Sequence, residues 1–169
     1  ANNTETFDLK ELKPRYGIGG VDLSSTTDLT AAKVIFKVPG DEHIYVMSMY
    51  WMPEDLVEKR VQEDKIPYDV WIEKGYVRTC AGNKISYRDV KAWFVEIQEQ
   101  HDIYLNLIGY DSWSAVSFVE DMQDYFVDRN DNIQPIKTSK PRRRIDGTAA
   151  LLDAYVVLQN NLNEYMSLI

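Results

Sequence analysis

The sequence is poor in the residues that build covalent or soft-metal sites. A single cysteine, Cys80, excludes an internal disulfide, and with only His43 and His101 there is no thiolate or imidazole cluster for zinc. A reducing compartment fits this composition. No apolar run approaches the roughly 20 residues that cross a bilayer, and the opening ANNTETFDLKELKP lacks the basic-then-apolar order of a signal peptide. A soluble chain without membrane contact is therefore expected. Bases are also short: 19 Lys and Arg stand against 27 Asp and Glu, a net charge of −8. That balance opposes general phosphate binding, unless acids gather around divalent cations and bases gather elsewhere, as they do from Lys137 to Arg144. Internal repeats, low-complexity stretches and a GxxxxGK[ST] phosphate loop are all missing.

What is present suffices for a core. With 169 residues and 44% apolar content the chain has the size of one domain, spanning 1–169, with 1–14 as a linker or lead-in. Ala rather than Met at position 1 is expected of a domain cut from a longer chain. Tyr16–Leu23, Thr30–Val38 and His43–Trp51 read as three consecutive antiparallel strands, with the cluster Pro39-Gly40-Asp41-Glu42 as a turn. Gly19 and Gly20 suit a central strand closely approached by another backbone or a ligand. Helices are expected over Pro53–Asp64 and Pro67–Lys74, then a brief strand at Tyr76–Cys80, and a helix from Ser86 through Gln100 on the spacing of Val90, Phe94 and Ile97. Ile103–Tyr110, an apolar run between helices, reads as a parallel central strand buried on both faces. Ser114–Tyr125 is the next helix, with Val116, Val119 and Met122 inward. Asn130–Lys137 looks turn-like. A long helix is expected from Ile145 to about Met166, with Ala149, Leu152, Val156, Ala154, Leu158 and Leu162 on its apolar side. The fold class that follows is α/β, a mixed sheet covered by helices.

Asp22 ends one strand, Asp111 ends another and Asp146 opens a helix, so three carboxylates remote in sequence can meet at one edge of the sheet. Bare carboxylates packed together repel, and a divalent cation removes that penalty. Ligation by oxygen alone suits Mg²⁺ or Mn²⁺, and two such ions about 4 Å apart can clamp the attacking and leaving oxygens of a phosphodiester. Each acid also has an ordinary structural reading, as a turn cap or a first-turn residue favoured by the helix dipole.

Longer motifs sharpen this. GVDLSSTTDLTA, then YDSW at Tyr110–Trp113, then RIDGTAALLDA at Arg144–Ala154 resemble the nuclease domain of tailed-phage terminase large subunits. MYWMPEDLVEKR, IPYDVWIEKGYV and GNKISY match the same pattern in the same order, so the resemblance covers nearly the whole chain. It implies a ribonuclease H-like fold and a metal-dependent DNA endonuclease that cuts concatemeric viral DNA during packaging in the cytoplasm of a bacterial host. Asp22, Asp111 and Asp146 would be the metal-binding acids, with Asp28 an additional one. The partners implied are double-stranded DNA, the terminase ATPase domain, the small terminase subunit and the portal protein. Two departures stand out. The motor's phosphate loop is not here, and Tyr125 runs almost directly into Phe126-Val127-Asp128-Arg129 where the family carries a further strand and helix, either by deletion or by omission of a mobile segment.

In the two-metal reading Asp22 bridges the ions and Asp111 and Asp146 each complete one site. Arg142, Arg143 and Arg144 are either a solvated run or a phosphate grip beside Asp146. Rival readings are a structure-selective nuclease of the junction-resolvase type and a docking module for the portal or small subunit that no longer cuts. Trp51, Trp71, Trp93 and Trp113 read as core or interface residues rather than base-stacking platforms. Ser24–Thr27 suit either a cap or a phosphate-binding turn, and His101 suits a helix C-terminus.

Overall fold

The computed structural model describes residues 7–23, 29–110, 118, 122, 134–137 and 146–169, with the backbone alone at 134–137 and 146. At its centre run β1 (Tyr16–Asp22) and β2 (Thr30–Phe36), and every position of β2 is buried, so this strand is covered on both faces. β3 (Tyr45–Pro53) completes the antiparallel meander, in the register Val21↔Ala32 and Ala32↔Met49. The apolar run expected to be a parallel strand is β5 (Tyr104–Tyr110), which pairs with the open side of β1. β4 (Val77–Cys80) runs parallel to β3, and β6 (Gln134–Lys137) runs parallel to β5. Among the described residues the six strands lie in the order β4-β3-β2-β1-β5-β6.

β6 corrects the turn-like reading of Asn130–Lys137 at its last four positions; the first four lie outside the described residues. Its four residues QPIK give too short a pattern to show alternation, and Pro135 argues against a central strand but is tolerated at a sheet margin, where its missing N–H leaves no gap in the ladder.

Helices cover both faces. On one, α4 (Tyr87–His101) buries Val90, Trp93, Phe94 and Ile97 against Val21, Ala32, Val34, Leu105 and Ile108, joined by Phe118 and Met122. Its N-cap is Ser86, extended at φ −94° but without a side-chain cap bond, and the left-handed residue that ends it is Asp102, one beyond His101. Arg78 of β4 grips Glu96 of α4 through two bonds of 2.8 and 2.9 Å. Trp51 and Trp93 are buried in this core, as their packed elements require; Trp71 is half-buried, and Trp113 lies outside the described residues.

On the other face the expected long helix is two helices, α5 (Asp146–Asn160) and α6 (Leu162–Leu168). Asn161 interrupts it: its side-chain amide donates to the Val157 carbonyl at 2.8 Å, a local bond that competes with helix continuation. The buried stripe is Ala150, Asp153, Ala154, Val157 and Leu158, whereas Leu152, expected inward, is 45% exposed. Alanines carry little hydropathy signal, yet only small side chains let this helix sit flush on the sheet. α2 (Val57–Asp64) and α3 (Tyr68–Glu73) continue the same layer over β3 and β4, around Met52, Tyr68 and Val77. Pro53 closes β3 and a 3-10 turn, Glu54–Leu56, precedes α2, so the expected helix begins later than its proline.

Two contacts tie the chain ends to the sheet. In the expected lead-in, α1 (Leu9–Leu12) is one turn capped by Asp8, with Phe7 edge-on to Phe36 and Tyr45. Tyr165 of α6 is fully buried; its hydroxyl donates to the Tyr16 carbonyl at 2.8 Å and accepts from the Lys37 N–H at 3.0 Å. Burial pushes the Tyr165 phenol up to about 12.

Candidate functional site

Asp22 is the last residue of β1, half-buried and paired with Ala31. Alternation along the strand puts it on the face of Ile18 and Gly20, the face that α5 covers. Beside it, Val21 pairs in parallel with Tyr110, the residue that precedes Asp111 in the chain. Asp111 itself lies outside the described residues, as do Asp28, Ser24–Thr27 and Arg142, Arg143 and Arg144. Asp146 opens α5, as expected of a first-turn acid.

Three glycines explain how that helix comes to lie there. Gly20 and Gly109 face each other in adjacent strands. A β-carbon at Gly20 would run into the Ala150 carbonyl and stand 2.6 Å from the Ala154 nitrogen, and one at Gly109 would stand 2.7 Å from the Asp153 carbonyl oxygen. The obstacles are helix backbone, which has little room to yield, so α5 rests directly on the two strands that end at residues 22 and 110. Gly147 makes the third close approach, where a β-carbon would strike the Tyr50 hydroxyl and lie 2.7 Å from Cε1 of its ring. Tyr50 pairs with Ala31, which pairs with Asp22, so one row of the sheet runs from β3 to the end of β1. Two strand spacings separate Tyr50 from Asp22, about 10 Å. The first turn of α5 lies over one end of that row.

Lys33 shares this face, paired with Gly20 on one side and Ser48 on the other, and is 6% exposed. Its ammonium donates to Ser48 Oγ at 2.7 Å and to the Tyr50 hydroxyl at 2.6 Å. Sequence reading passed over this residue, although a lysine inside the otherwise apolar run TAAKVIF was a visible signal. Asp153, fully buried in the stripe of α5, was also missed; it sits seven residues after Asp146, on the same helix face by spacing.

Other titratable groups lie apart from this region. His43 follows the far end of β2, exposed and 2.6 Å from Asp41, whose carboxyl is held down to about 2 by the Tyr45 hydroxyl and the backbone and ring of His43. His101 ends α4 shortly before β5 begins, at the end of the sheet opposite Asp22. Cys80 is buried and its thiol is pushed up to about 11, chiefly by desolvation, which keeps it protonated and inert. Among the described residues no three acids, histidines or cysteines are grouped to hold a metal ion; two of the predicted acids and the side chain of a third fall outside that set. Nor does any helix among the described residues have the length and apolar character to cross a membrane.

A meander of three antiparallel strands extended by parallel strands, with helices on both faces and an acid at the end of the first strand, defines a ribonuclease H-like α/β fold. Residues 3–130 match the family model for the terminase large subunit, endonuclease domain, and the chain belongs to that family. It is 34% identical over 109 residues to the terminase large subunit of Enterobacteria phage HK97, an alignment covering 64% of this chain and 21% of that protein. The crystal structure of the HK97 bacteriophage large terminase superposes with a TM-score of 0.62 at 26% identity, covering 93% of this chain and 32% of that one. The chain thus spans about a fifth of the curated relative's length and a third of the solved chain.

Proposed function

We propose that these 169 residues form a single nuclease domain that hydrolyses double-stranded DNA during phage genome packaging, with Asp22, Asp111 and Asp146 as ligands for two Mg²⁺ or Mn²⁺ ions and Asp28 as an additional acid. The observation that carries this reading is the seating of α5 on Gly20 and Gly109, which brings the helix opened by Asp146 down onto the strands that end at Asp22 and Tyr110. Position 146 precedes Ala150 and Ala154 by one and two helical turns, on the side of α5 that meets the sheet.

The donor set fits such ions: it is oxygen-only, Asp22 ends a strand and Asp146 opens a helix, and carboxylates brought together need a positive charge between them. Bound ions would neutralise charge on the scissile phosphate and lower the pKa of the attacking water. The chain's own residues do the rest. Asp22 would bridge the ions and Asp111 and Asp146 would each complete one site, with the packing of α5 on β1 fixing the start of that helix relative to the end of the strand. Arg142, Arg143 and Arg144 stand four to two residues before Asp146 in sequence and would supply backbone phosphate contacts to a chain that is acidic overall. Membership of the family supports extending the proposal to cutting of concatemers, and to work alongside an ATPase motor, a small subunit and a portal in the host cytoplasm. No phosphate-binding loop is present in this sequence, so ATP-driven translocation is not assigned to it.

The test is direct. Purified protein incubated with supercoiled plasmid and Mn²⁺ nicks and linearises it, chelator stops the reaction, and Asp22→Ala abolishes it. Absence of cleavage by the parent protein, or cleavage unchanged in Asp22→Ala, overturns the proposal.

A further inference from the structure

Tyr50 stands between a buried cation and the start of α5. Lys33 is nearly inaccessible, and among the described residues its ammonium is met by two neutral hydroxyls, Ser48 Oγ at 2.7 Å and Tyr50 at 2.6 Å, rather than by a carboxylate. Burying an ammonium costs free energy unless its donors are satisfied, so this lysine fixes the hydroxyls it reaches. Its nitrogen also lies 4.4 Å from the Tyr50 ring centroid, which holds the ring as well as its tip. The ring and hydroxyl in turn fill the space where Gly147 would carry a side chain. A single peptide bond joins Gly147 to Asp146, so the height of the first turn of α5 above the sheet is set by where the Tyr50 hydroxyl stands.

We infer that Tyr50, pinned by Lys33, is a positioning residue for the acid centre: it sets the first turn of α5, and with it Asp146, at the distance from Asp22 that divalent-ion binding requires. This rests on the nuclease reading above. Ser48 takes the second bond of the same lysine and is exposed, so it serves as an internal control for loss of a lysine partner alone.

Mn²⁺ binding to the full chain, measured by isothermal titration calorimetry without DNA, tests the inference apart from cleavage. Tyr50→Phe keeps the ring and the core around it and removes only the hydroxyl; it weakens Mn²⁺ binding about tenfold, the usual scale for a group supporting metal ligands from behind. Ser48→Ala binds as the parent does. Lys33→Met and Tyr50→Phe cut one link at its two ends, so the double variant binds no more weakly than Tyr50→Phe alone. Parent-like binding by Tyr50→Phe, an equal loss in Ser48→Ala, or a double variant weaker than Tyr50→Phe would each overturn the inference while leaving the nuclease reading intact. A parent protein that neither binds Mn²⁺ nor cuts DNA would remove both, and the plasmid assay tells these cases apart.

Discussion

Replacing Gly20 by alanine adds one carbon at the place where β1 and α5 are closest, and the structure sets the size of the effect. The new atom would stand 2.6 Å from the Ala154 nitrogen, and ordinary contact begins at 3.4 Å, so the helix must rise by about 0.8 Å even before the nearer Ala150 carbonyl is relieved. Overpacking of this kind costs about 1–3 kcal/mol. For a chain of this size that lowers the thermal midpoint by roughly 2–4 °C per kcal/mol. The catalytic cost is comparable, about 2.7 kcal/mol, because a misplacement of about 1 Å at a reacting centre removes on the order of 100-fold in rate. Gly109→Ala lifts the same helix from the adjacent strand, so the two substitutions are less than additive: once one has raised α5, the other meets a helix already displaced. Gly82→Ala is the control. Its φ of +82° makes alanine costly by about 1 kcal/mol through backbone strain, but nothing lies within 4 Å, so stability falls and cleavage does not. Urea denaturation and Mn²⁺-dependent plasmid cleavage, measured together on the parent, the three single variants and the Gly20→Ala/Gly109→Ala double variant, read both effects. A Gly20→Ala protein with parental midpoint and parental rate would refute the claim that direct backbone contact seats this helix.

Tyr165 gives the chain an alkaline limit. Its phenol is raised from the usual 10 to about 12, so the native state holds the proton more tightly than the unfolded chain; the stability this contributes is complete below pH 10 and is lost as pH rises from 10 through 12, amounting to about 2–3 kcal/mol. Tyr165→Phe removes that slope from a stability-against-pH profile and, by leaving the Tyr16 carbonyl without its donor, lowers stability near neutral pH by about 1–3 kcal/mol. Cys80, with its thiol held near 11 by burial, resists iodoacetamide at pH 8 in the native protein and is alkylated at the rate of global unfolding in denaturant; rapid modification of folded protein would contradict its placement in the core.

Much of the frame was legible because it rests on strong, local signals. The meander, the central parallel strand and the helix from Ser86 carried β-branched runs, turn residues or helical spacing, and Asp22 and Asp146 fall where a strand ends and a helix begins. The misses come from tertiary causes. QPIK is a strand because Ile108 and its neighbours offer it a ladder, which four residues cannot announce. The helix after Asp146 breaks at Asn161 because one side-chain amide reaches a carbonyl, and its inward stripe turns on alanines chosen for thinness rather than hydropathy. At the candidate site, pattern reading is drawn to carboxylates and so overlooked Lys33 and Tyr50, whose bearing on the acids exists only through the pairing of three strands and the contact at Gly147. Asp28 and Asp111 remain assignments carried by the family resemblance, and the arginine run one read from its charge and its place beside Asp146.

The bond from Tyr165 to the Tyr16 carbonyl and the Lys37 amide has a bearing on biosynthesis. Translation delivers the opening hairpin long before the tyrosine that fastens it. On the ribosome the first strands must wait with their glycine floor uncovered until α5 and α6 emerge, so the edge where Asp22 ends β1 cannot be covered until this stretch is almost completely made.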